Sequence, residues 1–117
     1  DDRGGQEIAR ALRDAGFEVI FAGSHQAPEQ VAETVLQEDA DAVGLGMTPD
    51  DPALLRRVVD RLRERELGHV VVFGRGAGPA GSIPAGPVPV FTPGTPWPDV
   101  TGWLEHALDD REAQLTG

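Results

Sequence analysis

Five short segments of the chain hold residue types that could bind a ligand. They combine carboxylates, glycines, a hydroxyl, one imidazole and one guanidinium, and they are Asp1 to Gly5, Gly23 to Ala27, Gly46 to Asp50, Gly74 to Gly81 and Thr92 to Thr95. Polar side chains can bind charged or polar groups, and glycine allows a backbone to approach a ligand closely. No paired general acid and base and no activated nucleophile is evident. The segments therefore predict a binding site rather than an enzyme that is catalytic alone.

The composition indicates one folded domain, which we expect to span residues 1–117. Twenty acidic residues against ten basic ones give a net charge of -10, which disfavours nucleic acid and anionic membranes as partners. The chain has no Cys and three His, so a zinc site is nearly excluded. No apolar run has membrane-spanning length, and we expect a cytoplasmic protein.

Hydrophobic periodicity predicts helices and strands in alternation. The expected helices are Gln6 to Ala15, Pro28 through Leu36, Pro52 to Glu66 and Pro98 to Glu112, and the expected strands are Phe17 to Ala22, Asp41 to Gly46, His69 to Phe73 and Val88 to Phe91. Gly16 and Gly68 are predicted to end helices, and Asp50 or Asp51 is predicted to cap the third one. The expected inward side chains of the first and last helices are Ile8, Ala11, Leu12, Ala15, Val100, Trp103, Leu104 and Leu108.

This order predicts an α/β fold, a flavodoxin-like (Rossmann-like) parallel sheet wound on both faces. In such a sheet the first strand is central, and its loss would remove apolar burial comparable to the whole stability of a domain, about 5 to 15 kcal/mol. We therefore expect a further strand upstream of Asp1. Ligands bind at the carboxyl ends of the strands, so all five segments are expected at one edge of the sheet.

Two other binding motifs fit poorly. Residues 76–81 have the G-x-G-x-x-G spelling, but the Pro-rich sequence after them cannot form the helix that a dinucleotide site requires. Asp1, Asp2, Asp50 and Asp51 could form the acidic cluster of a phosphoacceptor domain. That fold needs an aspartate at the end of its third strand, where this chain has Gly46 and Met47.

Three histidines and two tryptophans remain as candidates for special roles. His25 is the only His at the expected ligand edge and is a candidate metal ligand, whereas His69 and His106 are expected to be structural. Trp103 keeps helical spacing with the inward residues and is expected to pack at the core. Trp97 lies between two prolines and is expected to be partly exposed, as a candidate partner surface.

Several motifs, in the right order, resemble the cobalamin-binding domain of the methylmalonyl-CoA mutase family over nearly the whole chain. The family opens with Asp-x-His-x-x-Gly, and Asp2-Arg3-Gly4 fits its second half. The other matching stretches are Ala15-Gly16-Phe17-Glu18-Val19, Pro28-Glu29-Gln30-Val31-Ala32, Ala42-Val43-Gly44-Leu45 and Phe91-Thr92-Pro93-Gly94-Thr95. The resemblance implies that cobalamin, as adenosylcobalamin, inserts its nucleotide tail into a slot beside the sheet. It also implies a separate barrel domain or subunit that binds an acyl-CoA.

The chain departs from the family pattern at three positions. In an ungapped register Asp1 stands where the cobalt-ligating His is expected, whereas a short deletion would remove that position from the motif. Neither register supplies an imidazole, and a carboxylate is a poor replacement for imidazole on cobalt. The family's Ser near the benzimidazole becomes Gly46, although Thr48 could supply a hydroxyl if the loop shifted. The second Gly of the family's Gly-Gly pair becomes Arg75, which adds bulk where backbone should approach the ligand.

The resemblance and the departures together imply a set of cofactor-binding residues with altered cobalt coordination. The set is Asp1, Asp2, Arg3, Gly4, Gly46, Thr48, Gly74, Arg75, Pro93, Gly94 and Thr95, and the metal ligand is open, with His25 as a weak candidate. We expect a cobalamin-binding-like domain or subunit associated with an acyl-CoA mutase, a carbon-skeleton isomerase. The alternatives are an interaction subunit that binds no cobalamin and a carrier that binds cobalamin with its own base, or water, on cobalt.

Overall fold

The structure, a computed structural model, describes residues 2–22, 26–47, 53–76, 90–91 and 94–116. Its helices are α1 (Asp2–Asp14), α2 (Pro28–Glu38), α3 (Leu54–Glu64) and α4 (Trp97–Thr116), and its strands are β1 (Val19–Ala22), β2 (Ala42–Met47), β3 (Val71–Gly76) and β4 (Val90–Phe91). The four strands form one parallel sheet in the order β1-β2-β3-β4. The predicted α/β fold is confirmed.

Helices cover both faces of the sheet, as parallel strands require. On one face, α2 and α3 bury a core of aliphatic side chains that includes Val35, Val43 and Leu55. On the other face, α1 and α4 bury a core that includes Leu12, Phe73 and Leu104. The strand expected upstream of Asp1 stays a prediction. Among the described strands, β1 pairs directly with β2.

The first helix begins earlier than predicted, at Asp2 rather than Gln6. Glycine costs only about 1 kcal/mol in a helix, so Gly4 and Gly5 do not prevent the helix from including them. The inward face is also narrower than predicted, because Leu12 is buried whereas Ala11 and Ala15 are exposed.

The third strand continues past its predicted end at Phe73. Gly74, Arg75 and Gly76 pair with residues of β2, and Gly74 and Arg75 also pair with β4. A pattern of apolar residues cannot predict such an extension, because it depends on backbone pairing with the neighbouring strands β2 and β4.

Three helices end with the same backbone arrangement. Gly16, Asp39 and Glu66 have positive φ values of 98°, 52° and 62°. The amide that follows each of them donates to a carbonyl five residues earlier, as in Phe17 N–H to Leu12 O at 2.8 Å. The predicted stop at Gly16 is confirmed. The predicted stop at Gly68 is wrong, since Glu66 takes the left-handed position.

The start of α3 also differs from the prediction. Its N-cap is Ala53 rather than an aspartate, and Ala53 makes no side-chain capping bond. Asp50 and Asp51 lie outside the described residues.

Arg111 joins α4 to the amino edge of the sheet. Its side chain is 10% exposed and donates to the Asp41 carboxylate at 2.9 Å and to the Asp41 carbonyl at 3.2 Å. The same carboxylate accepts the Glu18 N–H at 2.7 Å, just before β1. Burial lowers the pKa of Arg111, but hydrogen bonds to Glu112 and Asp41 outweigh it and raise that pKa above the ordinary value.

No helix in the described part of the chain is long and apolar enough to cross a bilayer.

Replacing Gly16 with alanine should lower the free energy of unfolding by about 1 kcal/mol, because a Cβ is strained in the left-handed region. A Cβ at Gly16 would meet nothing within 4 Å, so the change isolates the backbone effect. Glu66→Gly should raise the free energy of unfolding by a similar amount at the equivalent position. Urea unfolding measures both variants, and shifts of equal sign would contradict the shared arrangement.

Replacing Arg111 with methionine should lower the free energy of unfolding by about 2 kcal/mol, because it removes charged hydrogen bonds from the Asp41 carboxylate and carbonyl. Urea unfolding is again the measurement. Arg56→Met, on the exposed side of α3, is the matched control and should change stability by less than about 0.5 kcal/mol. Equal effects of the two variants would show that the hydrogen bonds from Arg111 to Asp41 contribute nothing specific to stability.

Candidate functional site

The parallel strands place all their carboxyl ends at one edge of the sheet. Helix α1 turns directly into the start of β1 through residues 15–18, so its first turn lies toward the carboxyl edge. Arg111, near the end of helix α4, bonds to Asp41, just before β2, at the amino edge of the sheet. The first residue of that helix, Trp97, therefore lies toward the carboxyl edge. The first turns of both helices therefore lie toward the carboxyl edge on the same face of the sheet.

A glycine lies between two phenylalanines across the sheet on this face. Phe21 of β1, Gly44 of β2 and Phe73 of β3 are paired residues, so they share one side of the sheet. A Cβ built on Gly44 would lie 2.6 Å from Phe73 Cζ and 3.0 Å from Phe21 Cδ1. The two rings thus lean over bare backbone and meet edge to face, with centroids 5.9 Å apart.

The ring contacts continue into the last strand and the last helix. The Phe21 ring meets Trp97 at 6.1 Å, and the Phe73 ring meets Phe91 and Trp103 at 6.1 and 6.0 Å. We call Phe21, Phe73, Phe91, Trp97 and Trp103 the aromatic cluster. It contains five of the six Phe and Trp residues of the chain. Its Phe21 ring is 40% exposed, so the cluster reaches the surface.

Arg75 closes the cluster at the carboxyl edge. Its guanidinium carbon lies 3.9 Å from the centroid of the Trp97 ring, a cation–π contact. Its Nη1 donates to the Thr95 carbonyl at 3.0 Å. Arg75 thereby joins the end of β3 to the turn that begins α4.

The structure brings some of the predicted cofactor-binding residues together. Gly46 is the cross-strand partner of Arg75, and Arg75 bonds to Thr95, next to the exposed Gly94. Gly74 faces the other side, since a Cβ there would meet Met47 and Val90. Asp2, Arg3 and Gly4 lie in the first turn of α1, whereas Asp1, His25, Thr48 and Pro93 lie outside the described residues.

Sequence reasoning missed the aromatic cluster as part of the site. The sequence does hold a signal: Phe21, Phe73 and Phe91 lie in or near the last half of three strands, and Gly44 takes the equivalent place in β2. The predicted packing of Trp103 is confirmed by its ring contacts. Trp97 is half-buried, as predicted, with its ring between Phe21 and Arg75.

The residues that the structure describes include no group of three or more His, Cys, Asp or Glu side chains that could hold a metal ion. What the described face offers is aromatic surface, glycine backbone and one guanidinium. These groups suit a flat ring system with a polar or anionic tail.

Comparison with known proteins gives one consistent result. The profile of the "B12 binding domain" family matches residues 1–83. The small subunit of 2-hydroxyisobutanoyl-CoA mutase from Aquincola tertiaricarbonis is 39% identical over 79 residues, which are 67% of this chain and 58% of that protein. The small subunit of pivalyl-CoA mutase from Xanthobacter autotrophicus is 35% identical over 97 residues, which are 80% of this chain and 66% of that protein.

A methylmalonyl-CoA mutase from Cereibacter sphaeroides is 31% identical over 119 residues, 97% of this chain and 16% of that protein. This chain thus spans between 58% and 66% of the length of the two small subunits and a small part of the larger enzyme. The family profile covers more than half of the chain, on the parallel α/β sheet that the motifs predicted. The chain belongs to the B12-binding domain family.

Proposed function

We propose that this chain is the cobalamin-binding part of an acyl-CoA mutase and acts with a separate catalytic subunit or domain. The observation that carries the proposal is the match of residues 1–83 to the B12-binding domain family. The names of two relatives, small subunits of acyl-CoA mutases, support the division of labour. When bound, adenosylcobalamin would supply radical chemistry for a carbon-skeleton rearrangement. The cytoplasm is the compartment expected for such an acyl-CoA reaction.

The described residues fit the nucleotide end of cobalamin. Benzimidazole is a flat aromatic ring, and the partly exposed Phe21 and Trp97 offer ring surface on which it could pack. Arg75 and Thr95 add polar groups at the carboxyl edge, where ligands of such sheets bind. These residues would hold and orient the tail.

The cobalt end of the site is where the proposal departs from the family pattern. Asp1 takes the position of the expected His, and carboxylate oxygen is a harder donor than imidazole nitrogen. We infer that cobalt keeps either the benzimidazole of the cofactor or water as its lower ligand, with His25 as the alternative donor. The identity of this ligand distinguishes a carrier from a family member with the usual coordination.

A second candidate function is an interaction subunit that binds no cobalamin. The observation that favours it is the filling of the expected tail slot by the Phe21 and Phe73 rings over Gly44, with Arg75 packed on Trp97. The experiment below separates the two functions.

Titration with hydroxocobalamin, followed by absorbance, should show saturable binding of one equivalent. Reduction to cob(II)alamin then allows the lower ligand to be identified by electron paramagnetic resonance, using protein labelled with ¹⁵N. A benzimidazole ligand keeps a triplet splitting from ¹⁴N, a protein imidazole gives a doublet from ¹⁵N, and water gives neither. We expect the triplet or no splitting, and no binding at high protein concentration would leave only the interaction subunit.

Two variants control this measurement. Asp1→His restores the imidazole that the family pattern contains, and it should convert the spectrum to the ¹⁵N doublet. His25→Ala should leave the wild-type spectrum unchanged. A doublet in the wild-type protein that His25→Ala abolishes would identify His25 as the ligand and contradict the inferred coordination.

Mixing the chain with a purified acyl-CoA mutase large subunit from the same organism should give a complex that elutes earlier in size-exclusion chromatography. Carbon-skeleton isomerisation should then require the large subunit, this chain and adenosylcobalamin together, because the proposal divides acyl-CoA and cofactor binding between two proteins. Full activity of the large subunit without this chain would contradict the partnership.

A further inference from the structure

We propose that Arg75 and Trp97 form a gate that closes the tail slot in the ligand-free protein and opens when the nucleotide end of cobalamin enters. This inference rests on the proposed function with water rather than benzimidazole on cobalt, because a benzimidazole that stays on cobalt cannot enter the slot. It assigns to Arg75 a role in controlling access to the site. The gate is a feature of this chain, because Arg75 stands where the family pattern has glycine.

The guanidinium lies across the expected path of the tail. The backbone of Arg75 pairs with Gly46, at the position that the resemblance places near the benzimidazole. Its side chain donates the 3.0 Å hydrogen bond to the carbonyl of Thr95, in the segment that the resemblance places beside the nucleotide. Arg75 thus connects, through its backbone and its side chain, the two segments between which the tail must pass.

The rings behind Arg75 complete the closure. Arg75 packs on Trp97 at 3.9 Å, and Trp97 meets Phe21 edge to face at an interplanar angle of 89°. Phe21 in turn leans over Gly44, and its ring is 40% exposed. Release of Arg75 from Trp97 would allow these two rings to turn outward, which would open space beside the Phe73 ring for a flat aromatic group.

The contacts of Arg75 favour a gate over a simple anion-binding residue. Its guanidinium donates inward to a carbonyl and covers a tryptophan ring, so these contacts stabilise the ligand-free state. A ligand that needs the same space must first break them. The apparent affinity then equals the affinity of the open state multiplied by the fraction of molecules that are open.

The first test uses no ligand. In a Trp103→Phe background, Trp97 is the sole tryptophan, and acrylamide quenching of its fluorescence reports how far its ring is covered. Arg75→Ala should make Trp97 markedly more accessible to the quencher. Arg56→Ala, on the far side of the sheet, is the matched control and should leave quenching unchanged. Equal quenching with and without Arg75 would overturn the closed state.

The second test compares the rates of ligand binding by stopped-flow absorbance. Hydroxocobalamin should bind Arg75→Ala about tenfold faster than wild type, because the open state is more populated. Arg75→Lys, which retains the charge but loses the planar group that covers Trp97, should lie between them. Dicyanocobinamide, which lacks the nucleotide, should bind both proteins at the same rate.

Each other outcome of the second test has a distinct meaning. Slower or weaker hydroxocobalamin binding by Arg75→Ala would overturn the gate and indicate that Arg75 holds the phosphodiester of the tail. An equal gain for dicyanocobinamide would also overturn it, because the barrier would then not concern the tail. If neither wild type nor Arg75→Ala binds hydroxocobalamin, the proposed function fails together with the gate, whereas binding without acceleration rejects the gate alone.

Discussion

The contact of two phenylalanine rings over Gly44 is the constraint on which this face of the protein depends. A Cβ at Gly44 would lie 2.6 Å from the Phe73 ring, and Phe73 is 1% exposed, so that ring has no room to withdraw. Because Phe73 also packs against Phe91 and Trp103, its position fixes the last strand and the last helix against the sheet. The absence of one side chain in β2 therefore sets the packing of α4 and the shape of the expected slot.

The two edges of the sheet differ in the forces that hold them. The amino edge depends on directional polar contacts: the guanidinium of Arg111 bonds to Asp41, and Asp41 bonds to the backbone before β1. The carboxyl edge depends on ring contacts and one cation–π contact. This division places the directional polar contacts away from the site and the partly exposed Phe21 and Trp97 rings where a ligand would enter.

The sequence was sufficient to predict the α/β fold and the order of elements, because apolar periodicity and glycine positions carry that information locally. The sequence was insufficient to predict the residues at which the helices and strands begin and end. Glu66 adopts the left-handed conformation because the backbone bond from Leu67 to Leu62 and the burial of Leu62 outweigh the preference for glycine at 68. The aromatic cluster was missed for a related reason. Its members come from four elements, and the register that aligns Phe21, Gly44 and Phe73 is a property of the folded sheet.

Two of the departures from the family pattern are a single structural change. Gly46, which replaces the expected serine, and Arg75, which replaces the expected glycine, are cross-strand partners on the same face of the sheet. A glycine opposite Arg75 leaves the shared face free of a competing side chain at that position. The chemistry changes with it, since a neutral hydroxyl gives way to a charged, planar donor that packs on Trp97. We therefore expect the two positions to act as a pair, and a reversal toward the family pattern would exchange both residues together, because a serine at 46 and the residue at 75 share one face of the sheet.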